Sequence, residues 1–200
     1  WWSAIARPAA RAMLGIRTSA TVLLFGALGG DKNPGKGADL LYSALEKVPT
    51  RSGLSSNSGD LDILTFGGQP GIKRVGPHVV RSVGVLDDEG LRAHYSAADV
   101  TVVPSRVESF GQTASESMAC GTPVAAFRTG GLTDIVHDGV NGRLAEPFST
   151  ESLAEAIMWV LSSPERHKAL CEAARATSSR WDPRVVAKRY LALFDEILSS

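Results

Sequence analysis

The stretch GGDKNPGKGAD, residues 29–39, holds a lysine placed where a phosphate could be held. Gly30, four further residues, Gly35 and Lys36 follow the phosphate-loop pattern up to its last place, which calls for a Ser or Thr hydroxyl on Mg²⁺. Here that place is Gly37. Lys36 is thus a candidate phosphate-binding cation, either in an incomplete phosphate loop or in a site of another kind. A second group lies in SRVESFGQTASE, residues 105–116. Ser109 followed three residues later by Gln112 is a capping-box signature, which predicts a helix beginning there. The backbone N–H groups of Phe110, Gly111 and Gln112 would then lie at a positive helix end that favours an anion. Glu108 stands just outside this helix and Glu116 a little under two turns within it. Carboxylates so placed can accept hydrogen bonds from sugar or ribose hydroxyls.

The elements that must position these residues are short apolar runs alternating with helical patterns. TVLLFG (21–26), LDILTFG (61–67), a weaker VVRSVG (79–84), DVTVVPS (99–105) and PVAAF (123–127) read as strands. Helices are expected over 40–48, near 89–97 and near 110–119. This alternation predicts a Rossmann-like α/β domain: a doubly wound, mostly parallel sheet with helices on both faces. The strands are continuous apolar runs, as expected where both sheet faces are buried. In such sheets ligands bind beyond the carboxyl ends of the strands. The loops there are GALGG (26–30), GGQPG (67–71), SRVESFGQ (105–112) and RTGG (128–131). Residues 51–60, RSGLSSNSGD, read as a surface loop. Beyond 150 the pattern turns helical, and WDPRVVAKRYLALFDEIL (181–198) reads as a last helix with Asp182 as N-cap and Pro183 at its first position.

Composition narrows the function classes. Two hundred residues with 44% hydrophobic content can bury one core, and 21 basic residues balance 21 acidic ones. No global field therefore draws the chain to nucleic acid or an anionic membrane. No apolar run approaches the roughly 18 residues of a membrane-spanning helix. Cys120 and Cys171 lack the spacing of a zinc site or disulfide framework, which points to a reducing, cytoplasmic setting. His78, His94, His137 and His167 are too scattered for a metal cluster and read as surface or capping residues. The start on Trp1 rather than Met reads as that of a fragment, and residues 1–13 as a linker.

The composite GVLDDEGLRAHYSAADVTVVPSRVESFGQTASESMACGTPVAAFRTGGLTDIVHDGVNGRLAEP, residues 84–147, resembles the C-terminal, donor-binding domain of the retaining glycosyltransferases of family four. Glu108 and Glu116 occupy that family's Glu-x7-Glu arrangement, and the resemblance runs from about residue 14 to 198. It implies a GT-B architecture whose donor domain spans 14–180, with a final helix, 181–200, crossing back to an N-terminal domain that binds a saccharide or lipid-linked acceptor. It implies a UDP- or GDP-hexose donor, configuration-retaining transfer, no essential metal or other cofactor, and a place in the cytoplasm or at the membrane periphery. Residue by residue, Glu108 would engage the donor sugar and Glu116 the ribose. The Phe110 and Gly111 amides, with Gln112, would meet sugar or phosphate oxygens, and the backbone of Val85 and Leu86 the base edge. Lys36 would meet the diphosphate beside Gly26. Family members commonly carry Arg directly after that first-strand glycine, and this chain has Ala27. Lys32 or Arg128 is then a candidate second charge.

Three other readings share parts of this pattern. A sugar-nucleotide epimerase or a phosphorylase would use the same sheet. A degenerate, non-catalytic nucleotide-binding module is favoured by Ala27. A nicotinamide oxidoreductase is disfavoured because GALGGD lacks the Gly-x-Gly-x-x-Gly order after its strand.

Overall fold

A computed structural model of the chain describes residues 2–50 and 61–199. The expected loop 51–60 lies outside the described residues. In chain order the elements are α1 (Arg7–Met13), β1 (Thr21–Gly26), α2 (Ala38–Leu45), β2 (Leu61–Phe66), β3 (Gly71–Val75), β4 (His78–Ser82), α3 (Asp88–Ala97), β5 (Val100–Val103), α4 (Gln112–Ala119), β6 (Val124–Phe127), α5 (Leu132–Ile135), β7 (Gly142–Ala145), α6 (Thr150–Leu161), α7 (Pro164–Ser178) and α8 (Pro183–Leu198). Two single 3-10 turns, Gly30–Lys32 and Pro34–Lys36, link β1 to α2.

The strands form one sheet in the order β3-β4-β2-β1-β5-β6-β7, parallel except for β3. Every residue of β1, β5 and β6 is buried, as continuous apolar runs demand. Side chains of β1 alternate between two cores. Leu23 and Phe25 pack with α2 and α6, whereas Val22 and Leu24 pack with Tyr95 of α3. The winding runs outward from β1 through β2 and returns to start again at β5, so the order reverses between β1 and β5. The carboxyl ends of these two strands therefore open a crevice, where a ligand site is expected.

Two strands go beyond the sequence reading. β3, which follows β2 in the chain, is the antiparallel edge strand beside β4; its GIKRV is polar and its Ile72 is exposed, as an edge strand permits. β7 is only four residues long and pairs with β6. Residues 7–13, expected within a linker, form α1. Its Arg11 is buried and donates to Asp99 Oδ2 at 2.7 Å, to Ala97 O and to Thr18 O. Asp99 also accepts from Val22 N, so the pair ties α1 to the start of β1 and the turn before β5.

Helix starts follow sequence signals at several places. Asp87 caps α3 by accepting from Gly90 N, Ser163 caps α7, and Asp182 caps α8 with Pro183 in its first turn. α8 contains no buried residue, and Leu191, Phe194, Ile197 and Leu198 stand exposed along it. No described helix is long and apolar enough to cross a membrane.

Three histidines are buried, where the sequence suggested surface or capping roles. The His78 ring meets Val48 O, that of His94 meets Gly90 O and that of His167 meets Asp99 O. Each ring satisfies a backbone carbonyl, which lets an imidazole lie inside the fold without an unpaired polar group.

Candidate functional site

Lys36 ends the turn after β1, and Glu108 lies in the loop after β5, so the two approach from opposite sides of the switch point. Lys36 Nζ donates to Glu108 Oε2 at 2.7 Å, and Ser105 Oγ donates to the same oxygen at 3.1 Å. The lysine is 30% exposed and the glutamate 14%, so the pair forms a partly sheltered floor rather than a surface ion pair.

Gly37 begins α2 at φ 69°, in the left-handed region. A Cβ there would lie 1.9 Å from Pro104 O, so no side chain fits without moving the β5 loop. The glycine that breaks the phosphate-loop pattern is thus required by packing. The two loops are further joined by Arg106, which sequence reading did not single out. Its guanidinium forms two hydrogen bonds to Asp39 at 2.8 and 2.6 Å, it donates to Pro34 O, and its backbone N–H donates to Gly35 O. Its position in PSRVE carries no local signal, because its partners are 67 to 72 residues away. Behind Glu108, its carbonyl accepts from Gly131 N at 2.8 Å, so the RTGG turn supports the loop.

The predicted cap at Ser109 is not used. α4 begins at Gln112, and its N-cap is Gly111 at φ 98° with no side-chain cap. Residues 105–110 instead lie against the 128–131 turn and cannot start a helix. The free amides of the first turn are therefore those of Gln112, Thr113 and Ala114 rather than Phe110 and Gly111. Glu116 consequently stands about one turn into α4. It is buried, accepts from Gln112 Nε2 at 2.9 Å on one oxygen and from Tyr95 O–H at 3.0 Å on the other. Burial raises its pKa. The two hydrogen bonds oppose that shift without cancelling it, and the charge of Asp88 adds to it. Burial, followed by the charge of Glu116, holds the Tyr95 phenol well above its ordinary pKa, so it remains a donor.

A cavity of about 310 Å³ is lined by Lys36, Glu108, Gln112 and Glu116, together with Val85 and Leu86. Ala27, Thr113, Tyr95, Leu91, Phe66 and Gly67 complete most of its wall. Six of the sequence-selected residues thus converge. Four do not line it. Gly26 leaves room for the Phe66 ring, whose atoms would lie within 2.3 Å of a Cβ. Lys32 is exposed at the end of the first turn. Gly111 serves as the cap of α4, and the Phe110 ring packs edge-on against Trp181. Arg128, the other candidate second charge, pairs with Asp138 at 3.3 Å. Lys36 is the one cation among the cavity's described lining residues. Among the described residues no three His, Cys, Asp or Glu side chains stand together as a metal site.

Sequence reasoning missed Thr113 because it rested on a cap at Ser109. It missed Tyr95 because an aromatic residue inside a helix ordinarily reads as core. Tyr95→Phe tests the latter: removing the phenol should weaken binding at the Glu116 end of the cavity by about 0.5–1.5 kcal/mol, since Glu116 loses one of its two orienting donors. Isothermal calorimetry with a nucleoside diphosphate reads this. Unchanged affinity would mean that Gln112 alone positions the carboxylate.

Comparison with known proteins adds an independent result. The family described as glycosyl transferases group 1 matches residues 29–177. The chain is 36% identical over 208 residues to a D-inositol 3-phosphate glycosyltransferase of Saccharomonospora viridis, covering 97% of this chain and 47% of that protein. It is 38% identical over 172 residues to the protein of that name from Geodermatophilus obscurus, covering 80% and 37%. The chain thus spans less than half the length of these relatives. Among solved structures, sucrose-phosphate synthase from Thermosynechococcus elongatus superposes with a TM-score of 0.81 at 28% identity, over 99% of this chain and 50% of that one. Anabaena HepE, solved with UDP-glucose, superposes with a TM-score of 0.72 at 23% identity, over 94% and 51%, and so speaks for the fold.

Proposed function

We propose, from the premise that this chain belongs to the glycosyl transferases group 1 family, that it is the nucleotide-sugar donor domain of a GT-B glycosyltransferase. The observation that carries the reading is the pairing of Lys36 with Glu108 across the β1/β5 switch point, in one cavity with a doubly held Glu116. On this reading Glu116 accepts the ribose hydroxyls, because an ionised carboxylate held by two donors keeps lone pairs directed at a vicinal diol. Lys36 and the free amides of Gln112 and Thr113 balance the negative diphosphate, with no metal ion required for the task. Glu108 faces the donor sugar and steadies Lys36 until diphosphate arrives. Val85 and Leu86 flank the base of a UDP- or GDP-hexose, and transfer proceeds with retention of configuration. The acceptor, a saccharide or lipid-linked sugar, is held by a preceding domain. The exposed apolar residues of α8 are available to dock against that domain, and the enzyme works in the cytoplasm or at the membrane periphery.

The test is calorimetry of the chain with UDP, GDP and ADP and with the matching nucleosides, each in EDTA and in Mg²⁺. One diphosphate should bind more tightly than its nucleoside and equally well in both media. Failure of every diphosphate to bind, or a strict need for Mg²⁺, overturns the reading. A second reading, a nucleotide-binding module without transferase activity, is favoured by Ala27 together with the engagement of Arg128 by Asp138. Sugar transfer by the full-length protein decides between them.

A further inference from the structure

On the side of the domain where α1 meets α7, away from the cavity just described, Cys171, His167 and Arg7 form a cluster that the transferase reading does not use. His167 and Cys171 lie four residues apart on α7, hence on one helix face. The His167 Nε2 meets Asp99 O at 2.7 Å. A carbonyl only accepts, so Nε2 carries the hydrogen and Nδ1 is the free base, and Cys171 Sγ stands beside the ring at 3.8 Å from Nδ1 and 3.9 Å from Nε2. Arg7 Nη2 donates to the same sulfur at 3.4 Å, while Arg7 Nη1 stands 3.4 Å from Asp99 Oδ1. The Arg7 Nε is buried and has no hydrogen-bond partner among the described residues. A base and a cation thus converge on one sulfur, the arrangement that activates a thiol.

Cys171 is partly accessible and opens on a pocket of about 420 Å³. Arg7, His167, Lys168 and Arg175 line it, and no Asp or Glu does so among the described residues. We propose that Cys171 is a reactive thiol for thiol–disulfide exchange, and that the basic pocket around it admits a small disulfide bearing carboxylates. Burial, the largest single influence, disfavours the thiolate, yet His167 and Arg7 outweigh it and lower the Cys171 pKa. Burial likewise opposes charge on His167, whose pKa the facing Cys171 nevertheless raises. Arg7, with its like charge, opposes that rise, and Asp99 assists it. Cys120, also on this pocket, is buried, and that burial pushes its thiol up to about 11, leaving it inert.

In the step proposed, Cys171 passes its proton to His167 Nδ1, and the thiolate attacks one sulfur of the disulfide. The S–S bond of the reagent breaks, and its distal sulfur leaves with the electron pair and takes up a proton. Cys171 is oxidised to a mixed disulfide and half of the reagent is reduced to a thiol. Excess free thiol reverses the exchange.

The experiment measures the rate with the dianionic dithiobis-nitrobenzoate and with neutral dithiodipyridine, locating each adduct by mass spectrometry. At about pH 6 the folded protein should react at Cys171 faster than the urea-unfolded chain, because a lowered pKa enlarges the thiolate fraction. His167→Asn should slow the reaction at about pH 6 and approach the wild-type rate at about pH 9, where the solvent deprotonates the thiol. Lys168→Ala should slow the dianionic probe more than the neutral one. Equal folded and unfolded rates in the wild-type protein, a measurement that needs no variant to fold, would overturn the proposal. So would an adduct mainly on Cys120.

Discussion

Gly37→Ser, the change that would complete the phosphate-loop pattern, is expected to destabilise the domain and to weaken diphosphate binding rather than create a metal-binding nucleotide site. The new Cβ would lie 1.9 Å from Pro104 O, on a residue held at φ 69°. A non-glycine residue in that conformation costs about 1–3 kcal/mol, and forcing a packed neighbour aside costs about 1–3 kcal/mol more. Even the lower ends together, about 2 kcal/mol, correspond to a fall in Tm of about 4–8 °C for a domain of this size. Where the chain yields by moving the Pro104 loop, the displacement passes to Ser105 and Glu108, and the 2.7 Å contact between Glu108 and Lys36 opens. Calorimetric melting and titration with UDP or GDP read the two effects. A variant that melts like the wild type and binds nucleotide as well, or that gains Mg²⁺-dependent ATP binding, would restore the phosphate-loop interpretation.

The second large effect divides two residues that touch. Lys36→Ala should weaken nucleoside diphosphate binding by about 10- to 150-fold, the equivalent of the ~1.5–3 kcal/mol of a charge-assisted hydrogen bond, and leave nucleoside binding nearly unchanged. Removing the lysine also leaves Glu108 unneutralised beside the incoming phosphates, which acts in the same direction. Glu108→Gln should do the reverse in the binding experiment. It frees Lys36 from a competing carboxylate, so diphosphate binds as tightly as before or more tightly, while sugar transfer by the full-length enzyme falls. The opposite signs distinguish a shared lysine from two independent contributions. A Lys36→Ala variant with its diphosphate-to-nucleoside preference intact would remove Lys36 from the site, and weaker binding in Glu108→Gln would mean that the carboxylate itself contacts the nucleotide.

Local chemistry made much of the architecture legible. TVLLFG, VTVV and VAAF are apolar at every position because both faces of their strands are covered, and that property is visible without knowing the neighbours. Asp87, Ser163 and Asp182 cap helices through bonds spanning two or three residues, which the sequence order alone sets up. The long composite around Glu108 and Glu116 likewise carries the family resemblance within its own residues. β3 and β7 were not legible: one is a polar edge strand and the other, GRLA, opens on Gly142 and Arg143, so neither shows the apolar run that marks a buried strand.

What the sequence by itself determined, then, is which segments alternate, which are buried, and which residue types stand at the strand ends. What only the tertiary structure decided is how those ends meet. Whether α4 starts at Ser109 or Gly111 depends on the 105–110 loop resting against the 128–131 turn, because a backbone engaged there cannot also form the first helical turn. Lys36 and Glu108 are 72 residues apart, and their contact follows from β1 and β5 lying side by side. The same adjacency explains Gly37, which looks like a lost hydroxyl in the sequence and is a required absence of a side chain in the fold. Periodicity and capping act over a few residues and can be read along the chain, whereas strand order and loop-to-loop packing arise only when distant segments share one sheet.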